Sequence, residues 1–254
     1  MHTNKTVSIY GYGRFGKFWA DLLKENFHVK VFSRRGLLSK EVSPGLEICD
    51  EKELYNCDAI FYCVAISALQ NVLKEAKPYC RTETVFFDTC SVKVLPARWL
   101  KEHLPKESKI IATHPMFGPD SYQQTERQLP MVMCNISAGT EMFDNWAAYF
   151  SSLSLQIKNM TPEEHDKMTA SSQGITHYIG RVLGDLQLQP SPIDTHGYKQ
   201  LLKIIEQTCN DSRQLFLDLQ NYNPYAEEML NKLNKSINKI SQALTENNKT
   251  LLRK

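Results

Sequence analysis

The sequence predicts a doubly wound α/β domain over residues 1–159 followed by an all-helical domain over residues 160–254. Three observations carry that expectation. Short β-rich runs alternate with helical patterns in the first part of the chain. A glycine-rich turn joins the first strand to the first helix. After Asn159 no convincing strand pattern recurs.

Taken in order, Thr6–Tyr10 (TVSIY) opens as a strand and Val29–Phe32 is the second. Ala59–Val64 (AIFYCV) and Thr84–Phe87 (TVFF) are near-continuous apolar runs, the pattern of strands buried on both faces. Lys109–Thr113, Met131–Ile136 and Leu155–Ile157 complete the set. Strands separated by helices imply parallel βαβ units. Thr161-Pro162-Glu163-Glu164 then starts a helix. Threonine suits the N-cap, proline the first helical position and glutamate the third. That helix is expected to run to about Leu186 and to break at Pro190 and Pro192. Another spans roughly Tyr198–Asn221, and a last one begins near Pro224. In it Leu230, Leu233, Ile237, Ile240 and Leu244 recur at alternating steps of three and four. This narrow seam suits pairing with another helix. Packing on the chain's own helices and pairing of two copies into a homodimer both fit it.

Composition removes several classes of function. The 254 residues are 42% hydrophobic and 23% charged, ordinary for a globular protein. A net charge of +2 makes no case for nucleic acid or membrane binding. The opening MHTNKTVSIYGYG has no apolar signal core, and no run approaches the ~18 apolar residues of a membrane span. The seven cysteines are odd in number and form no CxxC pair. They read as reduced thiols of a cytoplasmic protein, not as disulfides or metal ligands.

Gly11-Tyr12-Gly13-Arg14-Phe15-Gly16 is a GxGxxG motif directly after the first strand and directly before an apolar helix. The first glycine allows a tight turn, the second lets backbone approach a pyrophosphate, and the third lets helix and strand pack closely. The helix N-terminus then offers free N–H groups to the anion. Alone, the motif also describes a glycine turn without a ligand. In this strand–turn–helix context it predicts a Rossmann-type dinucleotide site. The second strand ends in Phe32-Ser33-Arg34-Arg35, where NAD sites usually carry an acid for the ribose 2′-hydroxyl. Two guanidinium groups fit a 2′-phosphate instead, so NADP is expected over NAD. A solvated charge pair is the plainer reading.

Ligands of such sheets sit beyond the carboxyl ends of the strands. Val64-Ala65, expected beside the cofactor, Asp88-Thr89-Cys90-Ser91-Val92-Lys93, and His114-Pro115-Met116-Phe117-Gly118-Pro119 should gather there. His114 titrates near neutral pH and can take a proton from a hydroxyl as hydride leaves the same carbon. A strand-end histidine is also often structural. Ser91 can hydrogen-bond beside it or cap a helix. On the helix from Thr161, the residues His165, Thr169, Gln173 and either Thr176 or His177 share one face. With no fixed charge among them, they suit the wall of a polar cleft as well as open surface.

Together these segments resemble the prephenate/arogenate dehydrogenase family. The resemblance rests on GYGRFG (11–16), SRR (33–35), DTCSVK (88–93), THPMFGPDS (113–121), EHDKMTASSQGITH (164–177), THGYKQLL (195–202) and TCNDSRQLFLDLQNYNPYA (208–226). It implies a Rossmann domain followed by a helical dimerisation domain. It implies a reaction in which hydride leaves the ring carbon bearing a hydroxyl, CO2 departs and the ring becomes aromatic. It also implies that His114 polarises that hydroxyl, that Ser91 orients it, and that Gly118, Gln173 and His177 line the substrate site. Many members carry an arginine after the helix break for a substrate carboxylate. Lys199 stands there here, with Arg181 and Arg213 as other candidates. Arogenate-specific relatives place an acid on the strand after the HPMFGP loop. Met131–Asn135 has none, so prephenate is expected over arogenate, although Asp120 lies close enough to serve. Two other readings remain: a different dehydrogenase of the same architecture, such as a β-hydroxyacid or imine reductase, and a nucleotide-sensing regulator. The first lacks the HPMFGP segment, and the second is expected to have lost His114 or Ser91.

Overall fold

A computed structural model describes residues 5–122 and 128–245. Residues 1–4, part of the opening stretch read above for a signal core, lie outside the described residues. The chain divides into two compact units, Met1–His165 and Asp166–Lys254. The division falls inside a helix, a little beyond the 159/160 boundary read from the sequence.

The first unit is built on eight strands: β1 (Thr6–Tyr10), β2 (His28–Phe32), β3 (Leu46–Ile48), β4 (Ala59–Tyr62), β5 (Val85–Asp88), β6 (Lys109–Pro115), β7 (Leu129–Asn135) and β8 (Leu155–Asn159). They form one sheet in the order β3-β2-β1-β4-β5-β6-β7-β8. The helices between them are α1 (Arg14–Leu23), α2 (Glu51–Leu54), α3 (Ile66–Ala76), α4 (Val94–His103), α5 (Pro119–Tyr122) and α6 (Thr140–Ser152). β4 and β5 are buried along their whole length, which explains their unbroken apolar runs. Aromatic side chains fill the layer under the helices. Phe61 and Phe87 stack at 4.3 Å between ring centroids, with Trp146 edge-on to both.

Two features depart from the sequence expectation. β7 runs antiparallel to β6, so the sheet is mixed rather than wholly parallel. A parallel return needs a crossover of a dozen or more residues, usually a helix. The described part of this connection holds only the four-residue α5. The strand β3 was not expected. It is three residues long and partly exposed at the sheet edge, too short for an alternating pattern to show.

The second unit is helical. The helix from Thr161 forms as expected: Glu164 N donates to Thr161 Oγ1, while Thr161 N donates back to Glu164 Oε2. It comprises α7 (Pro162–Thr169), a π-helical stretch at Ala170–Gly174 and α8 (Ile175–Asp185). The expected helix Tyr198–Asn221 is instead two, α9 (His196–Asn210) and α10 (Arg213–Asn221). Ser212 breaks it by capping α10, its Oγ accepting from Leu215 N at 3.1 Å. α8 and α9 form a close hairpin: a Cβ on Gly180 would lie 2.1 Å from Thr208 Oγ1, so only glycine lets them meet there. The last helix is α11 (Ala226–Thr245). Its seam is covered only in part, since Ile237, Ile240 and Leu244 are 44%, 52% and 71% exposed. Among the described residues no helix is long and apolar enough to cross a membrane.

Candidate functional site

The register of the sheet brings the predicted motifs of the first unit to one rim. Tyr10 lies opposite both Phe32 and Tyr62, Tyr62 opposite Asp88, and Asp88 opposite Ala112. The strands carrying these residues are parallel, so the segments leaving their carboxyl ends emerge on the same edge. GYGRFG comes after Tyr10, Ser33-Arg34-Arg35 after Phe32, Cys63-Val64-Ala65 after Tyr62, Thr89-Cys90-Ser91 after Asp88, and Thr113-His114 after Ala112.

At the glycine loop the backbone geometry fits a dinucleotide. Gly11 has φ +101°, and a Cβ there would lie 2.5 Å from the Cys63 carbonyl oxygen. A Cβ on Gly16 would lie 1.9 Å from the Gly11 carbonyl oxygen, so the third glycine is required by helix–loop packing. Gly13 has open space where its side chain would be, and no side chain caps α1 there. Its first N–H groups are therefore available to an anion. Tyr12 is buried in the core, and its hydroxyl accepts from Ser43 N at 3.2 Å. Phe15 stacks on Trp19 at 5.6 Å. These two side chains support the loop from behind rather than lining it. Arg14 pairs with Asp120, so the acid that could have served arogenate is engaged by a guanidinium. Arg34 and Arg35 are exposed at the tip of a turn closed by Gly36 N donating to Ser33 O at 2.9 Å. Val64 precedes Ala65, the N-cap of α3, which likewise has no side-chain cap. The residues present thus fit a nicotinamide dinucleotide: a glycine cradle, two open helix starts and two exposed guanidinium groups.

His114 is 3% exposed near the end of β6. Its Nδ1 lies 2.8 Å from Nε2 of His165, a contact within the first unit. That leaves Nε2 of His114 as the nitrogen for other chemistry. Burial pushes the His114 pKa well below the ordinary histidine range; His165 and Lys93 act in the same direction. The imidazole is therefore neutral near pH 7 and can accept a hydrogen bond. Ser91 does not cap α4: the N-cap position is Lys93, and no side chain bonds there. Gly118 N donates to Ser121 Oγ at 2.9 Å, holding the turn after the HPMF stretch.

Under this rim lies an ion pair that the sequence did not announce. Lys93 and Asp88 are completely buried and paired. Lys93 Nζ also donates to the Thr113 carbonyl at 2.6 Å, and Thr113 Oγ1 donates to the Asp88 carbonyl at 2.5 Å. The pair fastens the end of β5, and so Ser91, to the end of β6, and so His114. A lysine after an SV dipeptide carries no local signal for this role. His165 was visible only as one member of a polar stripe.

In the second unit, Gln173 sits in the π-helical stretch and His177 in the first turn of α8. Such π stretches often occur at functional sites. Of the two residues that helical spacing left as alternatives, His177 is buried, 6% exposed, and Thr176 is exposed. Buried Gln173 Oε1, His177 Nδ1 and Arg181 Nε have no hydrogen-bond partner among the described residues. Thr169, by contrast, is engaged by Asn223. The chain does not bring Lys199 to this group. It is exposed in the first turn of α9, where Tyr198 OH donates to Gln189 O at 3.0 Å. That is the far end of the α8–α9 hairpin from His177. At the near end Arg181 donates to the Asp211 carbonyl and lies 5.7 Å from the Phe216 ring centre, and Arg213 is exposed in the first turn of α10.

Comparisons with known proteins agree with this geometry. A family profile described as "Prephenate dehydrogenase, nucleotide-binding domain" matches residues 35–136. A second, "TYRAAT1-like, C-terminal domain", matches residues 182–254. Arogenate dehydrogenase 2, chloroplastic, of Arabidopsis thaliana is 32% identical over 94% of this chain and 69% of its own. Prephenate dehydrogenase [NADP(+)] of Saccharomyces cerevisiae is 27% identical over 68% of this chain and 39% of its own. The crystal structure of Aquifex aeolicus prephenate dehydrogenase, in complex with hydroxyphenyl propionate and NAD+, superposes with a TM-score of 0.73. It covers 96% of this chain and 92% of its own at 14% identity, a likeness of fold. With the rim motifs, the buried histidine and these matches in hand, the chain belongs to the prephenate/arogenate dehydrogenases, a family of oxidoreductases of tyrosine biosynthesis.

Proposed function

We propose that this protein oxidatively decarboxylates a 4-hydroxycyclohexadiene carboxylate of the prephenate/arogenate type, using NADP. The observation that carries the proposal is the shared rim, where the glycine cradle and a neutral, buried His114 emerge from parallel strands of one sheet. Bound NADP would supply the hydride acceptor. Gly11, Tyr12, Gly13, Arg14, Phe15 and Gly16 form or support its pyrophosphate loop; Val64 and Ala65 border it. Ser33, Arg34 and Arg35 receive the 2′-phosphate. His114 Nε2 accepts the ring hydroxyl's hydrogen bond and draws positive charge off the carbon that loses hydride. The electron pair of the breaking C–CO2 bond refills the ring, so the hydroxyl keeps its proton overall. His114 holds that proton only while charge peaks. Ser91 orients the hydroxyl, with Gly118 beside it. Gln173 Oε1 and His177 Nδ1, buried and without a hydrogen-bond partner among the described residues, are offered to substrate. His165 keeps Nδ1 of His114 occupied, which directs Nε2 to the substrate.

Two further parts of the proposal concern assembly and setting. The exposed Ile237, Ile240 and Leu244 of α11 support pairing of two copies as a homodimer. The cysteine usage supports a cytoplasmic setting.

The cofactor assignment is tested directly. The Arg34→Ala/Arg35→Ala variant should lose about 10–100-fold in kcat/KM with NADP while changing little with NAD, as expected for two charge-assisted contacts. Steady-state absorbance at 340 nm with both cofactors measures this. An unchanged NADP/NAD ratio would remove NADP from the proposal. Failure of the wild type to reduce either cofactor, with prephenate and with arogenate, would remove the reaction.

A further inference from the structure

Thr169, Gln173 and His177 share the helix that opens the second unit, and an unbroken α-helix would not keep them in line. At about 100° per residue, the eight steps from Thr169 to His177 leave the two about 80° apart, whereas Thr176 falls within about 20° of Thr169. The structure shows the reverse: His177 is buried like Thr169, and Thr176 is exposed. The π-helical stretch Ala170–Gly174 accounts for this. A single π turn takes up one residue more than an α turn. The eight steps then count as seven, which brings His177 to within about 20° of Thr169 and turns Thr176 about 120° away.

Such a stretch needs partners for the carbonyls it takes out of the α ladder, and side chains supply them. Ser172 Oγ donates to the Met168 carbonyl at 2.8 Å, and Ser171 Oγ reaches the same oxygen at 3.1 Å. Two side-chain amides from outside the helix hold its ends. Asn223 Nδ2 donates to the Asp166 carbonyl at 2.8 Å and to Thr169 Oγ1 at 3.3 Å. Gln220 Nε2 donates to the Gly174 carbonyl at 3.0 Å. Asn223 is buried and Gln220 half-buried, so water competes little for these bonds. We infer that Gln220 and Asn223 are positioning residues for substrate binding. By pinning the π stretch at both ends they fix the helical phase that presents His177 rather than Thr176. Without the two amides the α ladder competes for the same residues, and its phase offers Thr176 instead. The inference rests on the reading of Gln173 and His177 as groups offered to substrate.

The test uses the full chain. Gln220→Met keeps the length of the side chain and removes its donor. With NADP and whichever of prephenate and arogenate the wild type oxidises, KM for that substrate should rise about tenfold, the worth of one hydrogen bond. The values of kcat and of KM for NADP should stay within about threefold of wild type. A substitution that only loosens the fold lowers the active fraction, and so kcat, and leaves KM alone. Histidine NMR supplies a readout that needs no turnover. Burial lowers the His177 pKa, with Asp211, its Oδ2 3.8 Å from Nε2, opposing and Arg181 assisting. In Gln220→Met the imidazole should turn out of its buried place and its pKa rise toward the ordinary 6.5. An unchanged KM together with an unchanged His177 pKa would overturn the inference. Deleting Ser172, which is exposed, gives the converse. It removes the extra residue, so a regular α-helix gives His177 its present phase, and KM should no longer respond to Gln220→Met. A full response in that background would also overturn the inference. If the wild type oxidises neither substrate and the His177 pKa still moves, the positioning role stands and the reaction assignment falls.

Discussion

His114→Asn should lower kcat by about 10²–10⁴-fold while leaving the affinity for NADP within a few-fold of wild type. Asparagine keeps a polar group of similar reach but cannot take on charge as the ring carbon loses hydride. The residues proposed to contact the cofactor follow the neighbouring strand ends, and His114 is not among them. Stopped-flow or steady-state reduction of NADP measures the first quantity and fluorescence titration the second. A variant that retains turnover within tenfold would remove His114 from the chemistry. The same residue sets the pH profile. It must be neutral to accept the hydroxyl's hydrogen bond, and burial holds its pKa well below the ordinary value of 6.5. Activity should therefore stay level as pH falls through 6.5, and its acid limb should appear only lower. An acid limb at or above pH 6.5 that disappears in His114→Asn would contradict the burial argument.

The largest stability effect is expected at Lys93→Met. The substitution leaves the fully buried Asp88 carboxylate without its cation and the Thr113 carbonyl without its donor. Removing one partner of a buried ion pair costs about 3–5 kcal/mol, mostly from the stranded charge rather than from the lost attraction. Adding Asp88→Asn to Lys93→Met should recover a large part of that loss, because the stranded charge is then gone. Urea unfolding of wild type and the two variants, compared at equal slopes, gives the numbers. A loss under about 1 kcal/mol, the range of ordinary exposed pairs, would mean that the pair is hydrated and does not fasten β5 to β6. The double variant also separates stability from positioning. If it folds well yet turns over slowly, the pair's role is to hold Ser91 and His114 in place.

Much of this protein was written in local patterns. The unbroken apolar runs of β4 and β5 announced strands buried on both faces, and both are. Thr161-Pro162-Glu163-Glu164 announced a helix start, and its capping box is formed. GxGxxG after a strand announced a cradle, and the near-contacts at Gly11 and Gly16 explain why no other residue fits. Each signal lies within a few residues of its effect, because capping, turn geometry and burial periodicity are short-range constraints.

Other features depended on residues distant in sequence. The reversal of β7 goes with a connection whose described part holds only the four-residue α5. The break between α9 and α10 is a local exception: the Ser212 cap lies three residues from its partner, and the continuing apolar pattern hid it. His114 meets His165 across 51 positions, and Lys93 reaches Thr113 across 20. Asp211 comes beside His177 only because α9 folds back along α8. By itself the sequence determined most of the elements, though not β3 or the α9/α10 break, together with the cradle and the identity of the candidate reacting histidine. The tertiary structure decided which charges are paired, which are left open, and which nitrogen of His114 remains for chemistry. The physical reason is that hydrogen bonds and desolvation act between neighbours in space, and the chain order does not say who those neighbours are.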